Sequence, residues 1–359
     1  MNQVMEERTD IRSATIKRPF LDVLQGQRIA TPPIWLMRQA GRYLPEYRQA
    51  RGQAGSFLDL CYTPDFATEV TLQPIRRFGF DASIIFSDIL VVPQALGRKL
   101  WFEEGEGPRL EPMAGPADVA ALSLTAIEER LQPVYRAITQ TRAALPAETP
   151  LIGFCGAPFT LACYMIEGGG SRDFLKVKQW AYGHADGFRR LIDTLTQACI
   201  EHLDRQVRAG CEAVQIFDSW AGILPEEQLF HWSVQPMQAI ARGLRERHPD
   251  TPVIAFPRGV GPAALMYRRL PEFAALSIDT MIGAHWAAQE LQPHIAVQGN
   301  LDPAMLVAGG EALAHETKRI LAKLAGGRHI FNLGHGVLPQ TAPDNVARLV
   351  DIVRNWTSR

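Results

Sequence analysis

The sequence predicts a single-domain α/β protein of the (β/α)8 TIM barrel class. Three observations carry the prediction. Eight short apolar runs of strand character recur along the 359 residues, most of them followed by a helical pattern. No long linker divides the series, so residues 19–359 read as one barrel after a polar leader over residues 1–18. Polar residues collect at the C-terminal ends of the runs, the face on which a parallel barrel builds its active site. A doubly wound open sheet also places ligands at strand C-termini. No GxGxxG follows the first run, so a dinucleotide site has little support.

Residues 19–27 carry a short helical pattern, and the turn Thr31-Pro32-Pro33 launches a first strand over 34–37. A helical pattern over 64–78 gives way at Gly79 to a buried-type strand over 81–88. Residues 97–111 suit a small hairpin or ordered loop, and 117–145 a long helix. Pro150 opens the third strand, 151–156; a loop containing Gly168-Gly169-Gly170-Ser171 follows, with helices over 173–209. The fourth strand spans 213–219, with a helix over 225–247, and the fifth and sixth span 253–258 and 276–279. The seventh, 295–300, is followed by a helix that Asp302 caps with Pro303 at its first position. Residues 329–336 form the eighth strand and 344–355 the final helix.

Composition limits the function classes. Lys plus Arg (37) nearly balances Asp plus Glu (38), so no overall field holds nucleic acid or an anionic membrane, and any anion site is local. The five cysteines are odd in number and scattered without a CxxC pair, which suits a reducing compartment. Residues 1–15, polar and carrying Glu6, Glu7 and Asp10, match neither a secretory nor a transit peptide, and no apolar run reaches the length of a membrane span. A cytoplasmic protein is expected.

The richest stretch is 33–51. A short apolar run meets Arg38 and turns into a segment punctuated by Gly41 and Pro45, with four arginines (Arg38, Arg42, Arg48, Arg51) within fourteen residues. Guanidinium stays charged and offers a planar fork of donors, so the cluster reads as a receptor for carboxylate or phosphate, with a solvated helix face as the bland alternative. Arg38, Asp88, Asp218, Ser219, Arg258, Asp279, Asn300 and His335 all stand at or just past strand ends. Asp88 ends an apolar run and is followed by another, Ile89 to Val92, so its carboxylate needs either a ligand or an arginine partner. Asp218 or Ser219 alternatively caps the turn at Gly222. His335, between Gly334 and Gly336, has room for close backbone approach to a ligand, or serves as a hydrogen-bonded support. Tyr164 is by default a core tyrosine with a polar tip. The Gly168–Ser171 loop suits a weak phosphate site or a mobile flap equally. The nine histidines are dispersed, with no HExxH or His-x-Cys, and no GxSxG marks a nucleophile.

Residues 33–48, 86–97, 153–164, 216–222, 298–303 and 331–336 together resemble the uroporphyrinogen decarboxylases, from about Pro19 to the end. The resemblance implies a homodimeric (β/α)8 barrel, without metal or organic cofactor, that removes carbon dioxide from the four acetate side chains of uroporphyrinogen to give coproporphyrinogen in haem and chlorophyll synthesis. It further implies that Arg38 and Arg42 bind substrate carboxylates, with Arg51 beside them, and that Asp88 holds the pyrrole N–H groups. Tyr164, Ser219 and His335 would contact peripheral acids, and Phe217 would flank the ring. Asp88, Arg42 and Tyr164 are the catalytic candidates, although the high pKa of guanidinium makes Arg42 a poor acid without a relay. Residues 277–284 depart from the Asp-Trp form expected of the family. Two rivals remain at this level: a corrinoid or thiol methyltransferase of the same superfamily, which needs zinc ligands, and a non-catalytic tetrapyrrole carrier.

Overall fold

A computed structural model describes residues 16–103 and 107–357. The expectations for the leader's first fifteen residues therefore lie outside the described chain. Strands β1 (Ser83–Ile84), β4 (Leu151–Gly156), β5 (Ala213–Asp218), β6 (Val253–Pro257), β7 (Ala275–Ser277), β8 (Ala296–Gln298) and β9 (His329–Ile330) form one parallel sheet in that order. Strands β2 (Leu100–Glu103) and β3 (Gly107–Leu110) pair antiparallel as the hairpin expected over 97–111. Helices fill the crossovers, as parallel connections require. Among the described residues no helix is long and apolar enough to cross a membrane.

The strands are apolar because helices cover one side and the curled sheet encloses the other. Val214, Ile216, Ile254, Ala255, Leu276 and Val297 are fully buried. One buried layer is polar: Gln298 Nε2 donates to Gln215 Oε1 (2.9 Å) and Ser277 Oγ (3.0 Å), while its Oε1 accepts from Trp35 Nε1 (2.9 Å). That layer ties β5, β7 and β8 to the segment entering the arginine loop.

The expected first strand, 34–37, is reduced to one parallel bridge between Ile34 and Phe331. Side chains take the backbone groups that a ladder would use: Asp81 Oδ2 accepts from Ile34 N (2.8 Å) and Asn332 Oδ1 from Met37 N (3.0 Å). The strand expected to reach Asp88 likewise ends early, because Thr71 Oγ1, from the helix Pro64–Phe78, accepts from Phe86 N (2.9 Å). Residues 117–145 hold two helices, Pro116–Ala120 and Ile127–Ala144, since Ser123 and Thr125 bond locally between them (2.8 Å). The expected helix 225–247 contains a π turn over Phe230–Val234, which ends two residues before Pro236, a residue with no N–H to continue the α ladder.

The segment after β4 is helical from Pro158–Glu167 and only then becomes a Gly-rich loop. Pro158 at the first position and left-handed Gly168 just past the end were the available signals. Both ends of the loop are held. Gly168 O accepts from Leu110 N (3.0 Å), a Cβ on Gly168 would meet Pro112 Cγ at 2.8 Å, and Ser171 Oγ accepts from Phe174 N (3.0 Å). The start of the loop forms a seat for the hairpin, while Gly170 is exposed with open space around it.

Candidate active site

A cleft of about 180 Å³ opens at the C-terminal ends of the strands. Arg38, Asp88, Phe217, Ser219 and His335, named from sequence, all line it. Its apolar walls include Ile84, Ile85, Phe86 and Phe154, which sequence reasoning did not single out. Phe154, Phe217 and Phe256 pack edge to face at 5.7 and 5.9 Å, a rigid aromatic wall for a flat ligand. The signal was present: Phe154 lies two residues before Gly156, the residue in register with Phe217.

Arg38 is exposed and sits in the left-handed region at φ 60°, unusual for a side chain with a Cβ and sustained only by firm surroundings. Buried Gln39 supplies them: it accepts from Leu36 N (3.1 Å), donates to Ala82 O (3.3 Å), and its carbonyl receives the Tyr43 hydroxyl (2.8 Å). The Arg38 stem lies on Gly336, where a Cβ would meet Arg38 Cδ at 2.3 Å. A Cβ on Gly334 would meet the Thr280 backbone nitrogen at 2.7 Å. The two glycines thus admit protein neighbours, and Gly336 also lines the cleft, as close backbone approach to a ligand requires.

Asp88 keeps a partly exposed edge, and Oδ1 accepts from Leu90 N (2.8 Å) in a turn that starts the helix Val91–Ala95. Among the described residues it forms no ion pair, so the sequence alternative of a salt bridge to the loop arginines does not occur. Burial raises its pKa above the usual carboxylate range; the Leu90 amide and the Arg38 charge oppose that rise. His335 is half-buried and its pKa falls to about 3, first through burial and then through the Arg38 and Arg258 charges. At neutral pH it is an uncharged imidazole with one donor and one acceptor.

Tyr164 does not line the cleft, but its hydroxyl feels the charges of Asp88 and Arg38 and burial lifts its pKa to about 12. Its ring lies 6.2 Å from that of Trp220. Arg42 and Arg51 also stand outside the lining, within electrostatic reach of Tyr47, whose ring packs at 5.6 Å on the lining residue Phe86. Arg51 spends one donor on Gly55 O (2.8 Å), and Arg48 holds the carbonyls of Arg42 (2.7 Å) and Tyr43 (3.3 Å), fixing the loop. The arginine loop is therefore divided between structural and uncommitted cations.

Asp218 is fully buried and does not line the cleft; its carboxylate accepts the backbone N–H of Trp220 at the head of the turn Ala221–Ile223, in keeping with the capping alternative. Its oxygens accept from Thr160 Oγ1 (2.6 Å) and Ser233 Oγ (2.5 Å), and Ser233 also meets the Tyr267 hydroxyl (2.8 Å). Burial lifts its pKa to about 6 against these hydrogen bonds. Asp279 is also buried, with Gly259 N bonded to Oδ2 and Met281 N donating to Oδ1 (2.8 Å). Both are anchors that fix strand ends. Among the described residues no group of three or more His, Cys, Asp and Glu side chains is placed to hold a metal ion.

The cleft combines uncommitted guanidinium, one unpaired carboxylate, a neutral imidazole and an aromatic wall. Residues 15–356 match the family model for uroporphyrinogen decarboxylase (URO-D). The chain belongs to the uroporphyrinogen decarboxylase family. The uroporphyrinogen decarboxylase of Rhodospirillum rubrum is 51% identical over 338 residues, covering 94% of this chain and 97% of that protein. The one from Paracoccus denitrificans is 50% identical over 339 residues, covering 94% and 99%. A solved methyltransferase from Methanosarcina mazei superposes with a TM-score of 0.77 over 94% of this chain and 98% of its own, at 18% identity, a likeness of fold.

Proposed function

We propose that the chain decarboxylates the four acetate side chains of uroporphyrinogen to give coproporphyrinogen and carbon dioxide. The observation that carries this reading is the unpaired Asp88 carboxylate in a cleft lined by Arg38, Phe217, Ser219 and His335. A cyclic tetrapyrrole in its reduced form directs four N–H donors inward, which one carboxylate can accept, and its peripheral acids need cations that resist desolvation.

The chemistry needs an electron sink. Protonation of the pyrrole carbon beside the acetate-bearing carbon makes a cationic ring. Cleavage of the bond to the carboxylate releases carbon dioxide and sends its electron pair into that ring. The exocyclic carbon then takes a proton to become methyl, and the ring carbon returns its own, so each cycle consumes one proton. Ionised Asp88 stabilises the ring cation as it develops. An ionised carboxylate has no proton to give, and neutral His335 donates its single N–H to a peripheral acid as Ser219 donates its hydroxyl. Arg38, Arg42 and Arg51 bind carboxylates from the loop, Tyr164, within electrostatic reach of Asp88 and Arg38, contacts a further peripheral acid, and Phe217 flanks the macrocycle. The reaction so drawn uses no metal or organic cofactor.

The same reading extends to architecture. A closed (β/α)8 barrel over residues 19–359 is supported by the two-sided bonding of the first segment. Asp81 N donates to Ile34 O (2.9 Å) on one side and Phe331 N to Pro33 O (2.8 Å) on the other. Homodimeric assembly and a cytoplasmic location follow from the family resemblance and the scattered cysteines. Anaerobic incubation with uroporphyrinogen tests the central claim. Chromatography is expected to show hepta-, hexa-, penta- and finally tetracarboxylate products; an untouched octacarboxylate refutes it.

A further inference from the structure

Arg258 is one of the polar residues at the strand ends. It lies one residue beyond β6, and it prolongs the ladder there: its N–H donates to Asp218 O (3.0 Å) and its carbonyl accepts from Gly222 N (2.9 Å). In the parallel register Phe217 faces Phe256 and Asp218 faces Pro257, so the next level pairs Ser219 with Arg258. Side chains alternate along a strand. Phe256 packs edge-on against Phe217, a lining residue, and Arg258 therefore points to the same side, one level nearer the mouth, beside lining residue Ser219.

The half-buried guanidinium is uncommitted. Among the described residues no carboxylate lies within ion-pair distance of it. Asp279 is the acid next to its loop, and both of its oxygens are occupied by the backbone amides of Gly259 and Met281. A partly desolvated cation without a counter-ion is costly unless a ligand supplies the charge. In the sheet order β6 stands three strands from β9, whose extension bridges to the Arg38 segment, so Arg258 approaches from a different strand end than Arg38, next to the cleft rather than in its lining. His335 sits in the field of both.

We propose that Arg258, with Ser219 beside it, is a further substrate-binding residue that grips a peripheral carboxylate at the β5–β6 strand ends, distant from the acids held by the arginine loop. The inference rests on the reading of the cleft as a polyacid site and deepens it: substrate is recognised from two sets of strand ends, and the second counts its acid groups.

The test measures steady-state kinetics of the full chain with uroporphyrinogen, under anaerobic conditions and over a range of salt. Arg258→Gln is expected to raise KM at least about tenfold with kcat changed less than about threefold, the pattern of lost uniform binding. The dependence of log KM on log salt is expected to flatten in the same variant, a change that a merely structural residue does not produce. Arg258→Lys, which keeps the charge and loses the fork, is expected to fall between the two and to retain the wild-type salt slope. Unchanged KM and salt slope in Arg258→Gln, with active wild type, overturn this inference alone. A wild-type chain that removes no carboxyl group overturns the reading of the cleft, and this inference with it.

Discussion

Gly336→Ala isolates the seat of Arg38. Gly336 lies outside the left-handed region, so alanine strains no backbone there, and the whole effect comes from one methyl group. That carbon would stand 2.3 Å from Arg38 Cδ, 2.7 Å from Cγ and 3.0 Å from Nε. Ordinary contact begins near 3.4 Å, so the stem must shift by about 1 Å or more, and the guanidinium with it. Arg38 is exposed and can move, so the midpoint of thermal unfolding is expected to stay within about 2 °C of wild type, as for a stability change below about 0.5 kcal/mol. Misplacing a substrate-positioning group by about 1 Å costs on the order of 100-fold, or about 2.7 kcal/mol in kcat/KM. The assay is initial-rate decarboxylation of uroporphyrinogen, made alone and in an Arg38→Ala background. Because the clash needs the arginine stem, the alanine at 336 is expected to cost almost nothing in that background. An equal loss in both backgrounds, or kcat/KM within about twofold of wild type, would refute the seat.

Asp88→Asn keeps an oxygen able to accept the Leu90 N–H, so the variant is expected to fold with wild-type circular dichroism while kcat falls at least about 100-fold; appreciable turnover would remove Asp88 from the chemistry. For Asp218, with its pKa raised from 3.8 to about 6, the folded chain between those pH values holds a proton that the unfolded chain has released. Its contribution to stability is thus present at acidic pH and lost as pH rises through 6, by about 3 kcal/mol for a fully buried group. Chemical denaturation is expected to show Asp218→Asn gaining on wild type by that order between pH 4 and pH 7, and parallel profiles would contradict it. The imidazole of His335 is expected to show no titration between pH 5 and 8 when followed by NMR; a midpoint near 6.5 would mean that the ring is solvated and remote from both arginines.

Much of this was legible in the sequence because strand periodicity and strand-end polarity are local signals. Strand 151–156 and the helix over 64–78 needed only apolar run length, Pro and Gly. The early ends at Ile34 and Phe86 were not legible, since side chains distant in sequence, Asn332 and Thr71, took the amides involved. Within the site, Arg38, Asp88, Phe217, Ser219 and His335 converge on one cleft. The division of labour within the arginine loop was hidden, because backbone carbonyls claim Arg48 and part of Arg51, and a charge pattern does not record carbonyl positions. Gln39, which holds Arg38 in place, is an unremarkable residue until its three hydrogen bonds are seen.

The uncommitted cations of the mouth have a consequence for turnover. Each acetate converted to methyl removes one negative charge from the ligand while the host keeps all of its positive ones, so attraction declines stepwise as the reaction advances. On the proposed reading of the site, a partly processed ring is retained more firmly than the finished one, and departure is timed by the charge the ligand has left.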